Sequence, residues 1–187
     1  GGAVDPETGI MYIFSKSDVG RMSMSNRPDR SDMDYINLQL RTAPRLTVDG
    51  LPLIKPPYGQ VVALDLNEGE KLWDAVHGET PDSIRNHPAL AGLDIPRTGQ
   101  AGRVGVLVTK TLVIAGDGGS YTNADGEQEA LLRAYDKLTG EQLGSLAMPA
   151  QQTGSPMTYA IDGVQYLAVA IAGSDVPGRL RVYSYEP

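Results

Sequence analysis

Apolar and polar positions alternate with a period of two along most of this chain, and the alternating runs come in pairs. Residues 104–109 and 111–115 flank Lys110, Met157–Ile161 and 165–171 flank Asp162 and Gly163, and residues 3–4 and 10–14 flank the stretch DPETG. A period of two marks a strand with one buried face, and an Asp-Gly pair supplies the positive φ angles of a tight hairpin turn. The pattern therefore predicts three β-hairpins. Each is followed, after an insert, by further alternating sequence: residues 60–75, residues 131–147 and Arg179–Tyr185. Helical periodicity is almost absent. The predicted unit is an antiparallel sheet of four strands, A-B then C-D, written about two and a half times.

Two of these units are visibly copies. VVALDLNEGEKLWDA (61–75) and LRAYDKLTGEQLGSL (132–146) align with Ala63 on Ala134, Asp65 on Asp136, Gly69 on Gly140 and Glu70 on Glu141. Each shared letter has a physical use: a small Ala leaves room near a neighbouring sheet, an Asp caps the turn, and a Gly takes its left-handed residue. Trp73 closes the first copy as an apolar plate suited to the space between sheets. Its counterpart in the second copy is Gly144, so one such wedge is missing. A repeated four-stranded unit cannot bury both of its faces alone and must stack on its neighbours, which predicts an all-β chain of β-propeller blades. An antiparallel sandwich with two similar hairpins is the alternative.

Composition narrows the chemistry. The chain has 187 residues, 41% apolar and 21% charged, an ordinary globular balance for one domain or part of a larger one. A net charge of −7 and a pI near 4.8 argue against a phosphate-binding surface and so against nucleic-acid partners. Cysteine is absent, which removes disulfides and thiolate metal sites while leaving the compartment open. The strongest apolar run, residues 166–172, is far short of the ~20 residues of a spanning helix, and no signal segment opens the chain.

The repeat A-x-D-x-x-T-G-x-x-x-W, met as ALDLNEGEKLW and degraded to AYDKLTGEQLG, resembles that of the eight-bladed quinoprotein dehydrogenases. More specific are LPLIKPPYGQVVALDLNEGE, IRNHPALAGLDIPRTGQAGRVGVLVTKTLVIAGDG and TGSPMTYAIDGVQYLAVAIAG. Together these look like the C-terminal part of the membrane-type, glucose-dehydrogenase-like branch that uses pyrroloquinoline quinone (PQQ). The likeness spans the whole chain. It implies a partial quinoprotein propeller over residues 1–187: one blade at 1–75 with a long insert at 16–58, a second at 104–147, and a partial third at 156–187. The opening GGAVDPETG resembles the segment that follows an Asn-Trp pair in the family. On that reading the chain starts inside a blade and lacks roughly five others.

The resemblance also implies where chemistry lies. Strand A of each blade runs nearest the propeller axis, and the loops leading into A and linking B to C share one face. Here those loops are the long ones: 15–58, 76–103 and 117–130. Gly102, Arg103 and Val104 lead into the A strand of the second blade, where family members bring backbone close to the quinone, and Gly1 and Gly2 hold the equivalent place in the first. Gly permits close approach of a planar cofactor, or simply starts a strand. Arg103 is suited to a quinone carboxylate, or is solvated. No catalytic residue and no metal ligand is expected within the chain. The implied whole is a periplasmic enzyme, membrane-anchored or soluble, that oxidises a sugar or alcohol. It passes electrons to a quinone or cytochrome, with its calcium ligands and general base on other blades. The opposing hypothesis is a non-catalytic propeller that binds protein partners.

Other motifs read as unspecialised. His77 and His87, the two histidines, fit no zinc spacing and are expected as solvated loop residues. The acids of DGGSYTNADGEQE (117–129) lack the order and spacing of a calcium loop, which predicts a flexible acidic loop. GDGGS (116–120) has no strand-turn-helix setting for a phosphate loop, and NRPDRSD (26–32) reads as a solvated loop.

Overall fold

The computed structural model describes residues 1–20, 23–38 and 46–185, so residues 21–22 and 39–45 of the first insert lie outside the description. The strands in chain order begin with β1 (Gly2–Asp5), β2 (Ile10–Lys16), β3 (Ser23–Ser25), β4 (Ile36–Leu38), β5 (Thr47–Val48), β6 (Leu51–Pro52), β7 (Gly59–Asp65) and β8 (Glu70–Val76). They continue with β9 (Val106–Val108), β10 (Leu112–Gly116), β11 (Tyr121–Thr122), β12 (Gln128–Asp136), β13 (Gln142–Met148), β14 (Met157–Ile161), β15 (Val164–Ile171) and β16 (Arg179–Tyr185). Three antiparallel sheets carry the fold: β1-β2-β7-β8, then β9-β10-β12-β13 with β11 paired to the start of β12, then β14-β15-β16. Residues Asp18–Lys55 form a separate unit with two small hairpins, β3-β4 and β5-β6.

The turns follow from the repeated Asp and Gly. Asp5, Asp65 and Asp136 each accept a backbone N–H two residues on, from Glu7 at 3.0 Å, Asn67 at 2.8 Å and Leu138 at 2.9 Å. Four residues after each Asp stands a left-handed glycine: Gly9, Gly69 and Gly140, at φ of 72°, 74° and 75°. Only glycine takes that φ at little cost, so the D-x-x-x-G spacing closes each hairpin in the same register. The repeat extends to its irregularities. In β7 the pairing shifts just after Ala63↔Trp73, and in β12 just after Ala134↔Gly144, so Leu72 and Leu143 are both skipped and both exposed.

Successive sheets meet through apolar faces. Tyr12, Val61 and Ala63 of the first sheet form one core with Val106, Val113, Ala115 and Tyr135 of the second. The opposite face of the second sheet, with Ile114, Leu132 and Met148, packs on Val169 and Ile171 of the third. Trp73 lies at the first junction. Its Nε1 donates to the Lys137 carbonyl at 3.1 Å, its ring lies 5.8 Å from that of Tyr12, and a Cβ on Gly140 would fall 2.6 Å from the indole. Lys137 returns the contact: its Nζ donates to the Asp5 carboxylate at 2.8 Å, and its carbonyl also accepts from the Tyr12 hydroxyl at 3.2 Å. At the second junction Ile114, Ala134 and Gly144 stand where the first has Tyr12, Ala63 and Trp73. A cleft of about 570 Å³ lined by Ile114, Leu132, Ala134, Gly144 and Leu167 opens there.

Two expectations need correction. His77 is not solvated: it is fully buried, with 0% exposure, at the root of the insert that follows β8. Nor is 117–129 a flexible acidic loop. Asp117 is buried, β11 pairs with β12, and the Asn123 side chain accepts the amides of Asp125 at 3.0 Å and Glu127 at 2.9 Å to close a tight turn. In both cases a polar side chain supplies a backbone or buried partner that local sequence does not reveal.

Candidate functional site

The starts of the three A strands come together. The Gly1 backbone nitrogen donates to the Val104 carbonyl at 2.8 Å, and a Cβ on Gly1 would find only the Ser155 hydroxyl, 3.9 Å away. Gly105 packs so closely on Ser155 that no side chain fits between them. The predicted residues Gly1, Gly2, Gly102, Arg103 and Val104 thus lie along two neighbouring strand starts, joined by the Gly1–Val104 bond. Their surroundings differ. Val104 is buried in the junction core, whereas Gly1, Gly2 and Arg103 are exposed. Among the described residues, the Arg103 guanidinium meets no carboxylate. Gly102 is glycine for a reason internal to the protein: a Cβ there would lie 2.6 Å from the Gly118 Cα and 2.8 Å from its carbonyl oxygen.

Beneath these starts lies a buried polar network that sequence reasoning missed. Asp117 directly follows β10, and all of its polar groups are engaged. Its carboxylate accepts from Arg133 Nε at 2.7 Å, Arg133 NH2 at 3.1 Å and the Leu131 amide at 3.0 Å. Its backbone N–H donates to the Leu131 carbonyl at 2.8 Å, and its carbonyl accepts from the Gln152 amide at 2.9 Å. The Gln152 side chain continues the chain of bonds, donating to the Gly105 carbonyl at 2.8 Å and accepting from the Gly116 amide. Arg133, only 1% exposed, also donates to Glu79 at 3.0 Å and to Gln142 at 3.1 Å, tying the 77–105 insert to the second sheet. Burial works against the Arg133 charge, yet its bonds to Asp117 more than offset this and hold its pKa above the ordinary value.

His77 completes the network. A carbonyl can only accept, so Nε2 carries the proton and donates to the Gly116 carbonyl at 3.1 Å; Nδ1 then accepts from the Tyr135 hydroxyl at 2.8 Å. Burial depresses the His77 pKa to about 4 and pushes the Tyr135 phenol well up, so both are neutral near pH 7. His87, by contrast, is part-exposed and accepts the Ala89 amide at 3.2 Å at the start of a short helical turn. One signal for the network was legible: Arg133 interrupts an apolar C strand at the place where the other copy has Val62.

Stacked antiparallel sheets joined through their faces, two with a four-strand meander and a third with three described strands, their strand starts converging on one side, define a segment of a β-propeller. Residues 1–167 match the family described as the glucose/ethanol/alcohol dehydrogenase β-propeller domain, in the PQQ group, and the chain belongs to that family. It is 29% identical over 124 residues to quinoprotein glucose dehydrogenase A of Acinetobacter calcoaceticus, covering 66% of this chain and 14% of that protein. It is 31% identical to the quinoprotein glucose dehydrogenase of Escherichia coli, covering 70% of this chain and 15% of the relative. With the glycerol dehydrogenase large subunit of Gluconobacter thailandicus it shares 30% identity over 72% of this chain and 18% of the relative. The crystal structure of the quinohemoprotein alcohol dehydrogenase from Comamonas testosteroni superposes with a TM-score of 0.53 at 17% identity, covering 91% of this chain and 21% of that one, a likeness of fold. The match spans less than one fifth of the length of each of the three glucose and glycerol dehydrogenase relatives.

Proposed function

We propose that this chain is part of a PQQ-dependent dehydrogenase of sugars or alcohols, and that its three sheets are blades of an eight-bladed propeller whose remaining blades complete the active site. Gly1, Gly2, Gly102, Arg103 and Val104 form its share of the cofactor face. The observation that carries this reading is the pair of joined strand starts, which leave Arg103 exposed with no carboxylate partner among the described residues, in a chain of this family. A guanidinium fork matches a carboxylate of the quinone in shape and charge. The small residues beside it let a flat ring approach the backbone.

Bound there, the quinone supplies the acceptor for the hydride of the substrate alcohol. The residues of this chain bind and orient it. Among the described residues no group of three or more His, Asp or Glu side chains is placed to hold a metal ion. The reading puts the calcium ligands and the general base that takes the hydroxyl proton on other blades. It also places the enzyme in the periplasm, with a membrane quinone or a cytochrome as electron acceptor. In the longer protein, quinone with calcium should slow amide exchange at residues 102–105 and leave the opposite-face turn at 138–140 unchanged. Equal protection at both places, or none, would remove the assignment.

A further inference from the structure

We infer that Asp117 and Arg133 are positioning residues for the cofactor face, a role that rests on the proposed reading of Gly102–Val104. Gly118 and Gly119 follow Asp117 directly, and each is in contact with the segment that leads into β9. Gly102 and Gly118 meet backbone to backbone, so that a Cβ on either would strike the other's Cα within 2.8 Å. A Cβ on Gly119 would lie 2.5 Å from the side-chain amide of Gln100. Where the Asp117–Gly119 turn stands, residues 100–104 must therefore stand as well.

The turn itself is held by the buried ion pair. Two guanidinium donors and one backbone amide fix the Asp117 carboxylate, and the Gln152 amide fixes its carbonyl. Arg133 is in turn oriented by Glu79 and Gln142. Close-packed glycine backbone has no side-chain rotamer through which to absorb a displacement. Through the Gly102–Gly118 contact, a shift at Asp117 reaches Gly102 and so Arg103. A buried pair of this kind contributes little net stability compared with a well-packed apolar pair, and here its bonds hold the Asp117 carboxylate and the Arg133 guanidinium in one arrangement. That property suits a surface that must present backbone and a guanidinium to a rigid planar ligand.

The test has two arms. In this chain without cofactor, Asp117→Asn keeps the shape and removes the charge. Amide exchange at residues 102–105 and 118–119 should then rise roughly tenfold or more, the scale expected for weakened bonds to a charged group, while the Met157–Ile161 strand is unmoved. Exchange that rises uniformly, or not at all, overturns the positioning role. Glu79→Gln, at the part-exposed end of the network, should give a smaller change in the same places and serves if Asp117→Asn does not fold. In the longer quinoprotein, PQQ affinity measured by titration should fall in the same order: wild type, Glu79→Gln, Asp117→Asn. Loosened exchange with unaltered affinity overturns the link to the cofactor. If wild type itself shows no protection of residues 102–105 by quinone, the cofactor reading fails and the first arm alone decides whether Asp117 sets this backbone.

Discussion

At the scale of single residues, His77 and Gly144 make the clearest predictions. His77 is neutral in the fold because burial lowers its pKa from 6.5 to about 4. The unfolded chain takes up a proton near pH 6.5 that the folded chain refuses, so stability present above pH 6.5 is lost as pH falls toward 4. Denaturant unfolding followed between pH 7 and pH 4.5 should show that decline, with an upper bound on the order of 3 kcal/mol, and His77→Gln should flatten it. Asp5 acts in a lower window. Its bonds to Lys137, Thr8 and the Glu7 amide hold its pKa at about 2, so its contribution is present above pH 3.8 and is lost as pH falls through 2. Gly144 sits mid-strand with nothing within 4 Å of where its Cβ would be, and its φ is not of the left-handed kind. Gly144→Ala should therefore raise the denaturation midpoint, by an amount equivalent to about 0.5–1 kcal/mol.

At the scale of elements, the two copies of the repeat meet their neighbours differently at the position held by Trp73 in one and Gly144 in the other. β8 carries Trp73 into the first junction, where Tyr12, the Lys137 carbonyl and Gly140 receive it. Trp73→Ala removes an aromatic plate and leaves the Lys137 carbonyl short of a donor; the expected loss is about 2–4 kcal/mol by chemical denaturation. The second junction has no such plate to lose, and its sheets touch through Ile114, Leu132 and Leu167 beside an open cleft. Gly102→Ala tests a different contact between elements. Its methyl would meet the Gly118 backbone, which cannot rotate away, so a loss of at least ~1 kcal/mol is expected. The loss should come with faster exchange at residues 102–105 than elsewhere in the sheet.

For the whole molecule, the described strands leave β16 paired on one side only, and Leu143, Leu146, Leu180 and Val182 are exposed on β13 and β16. An open strand edge beside exposed leucines favours association. Sedimentation across a concentration series should show self-association, or capture by the remaining blades when these are supplied; a monomer at high micromolar concentration would contradict it. The chain alone should show no quinone-dependent sugar oxidation. What the sequence by itself determined is the repeating unit. Period-two alternation and the D-x-x-x-G spacing act over a few residues, so the hairpins, their turns and the equivalence of β7 with β12 were legible before any coordinates. The resemblance of the longer motifs extended that to the family. Only the tertiary structure decided what His77, Asp117, Arg133 and Gln152 do. A buried polar group is stabilised by partners distant in sequence, here 16 residues between Asp117 and Arg133 and 58 between His77 and Tyr135, and no local pattern records which partner a fold will bring.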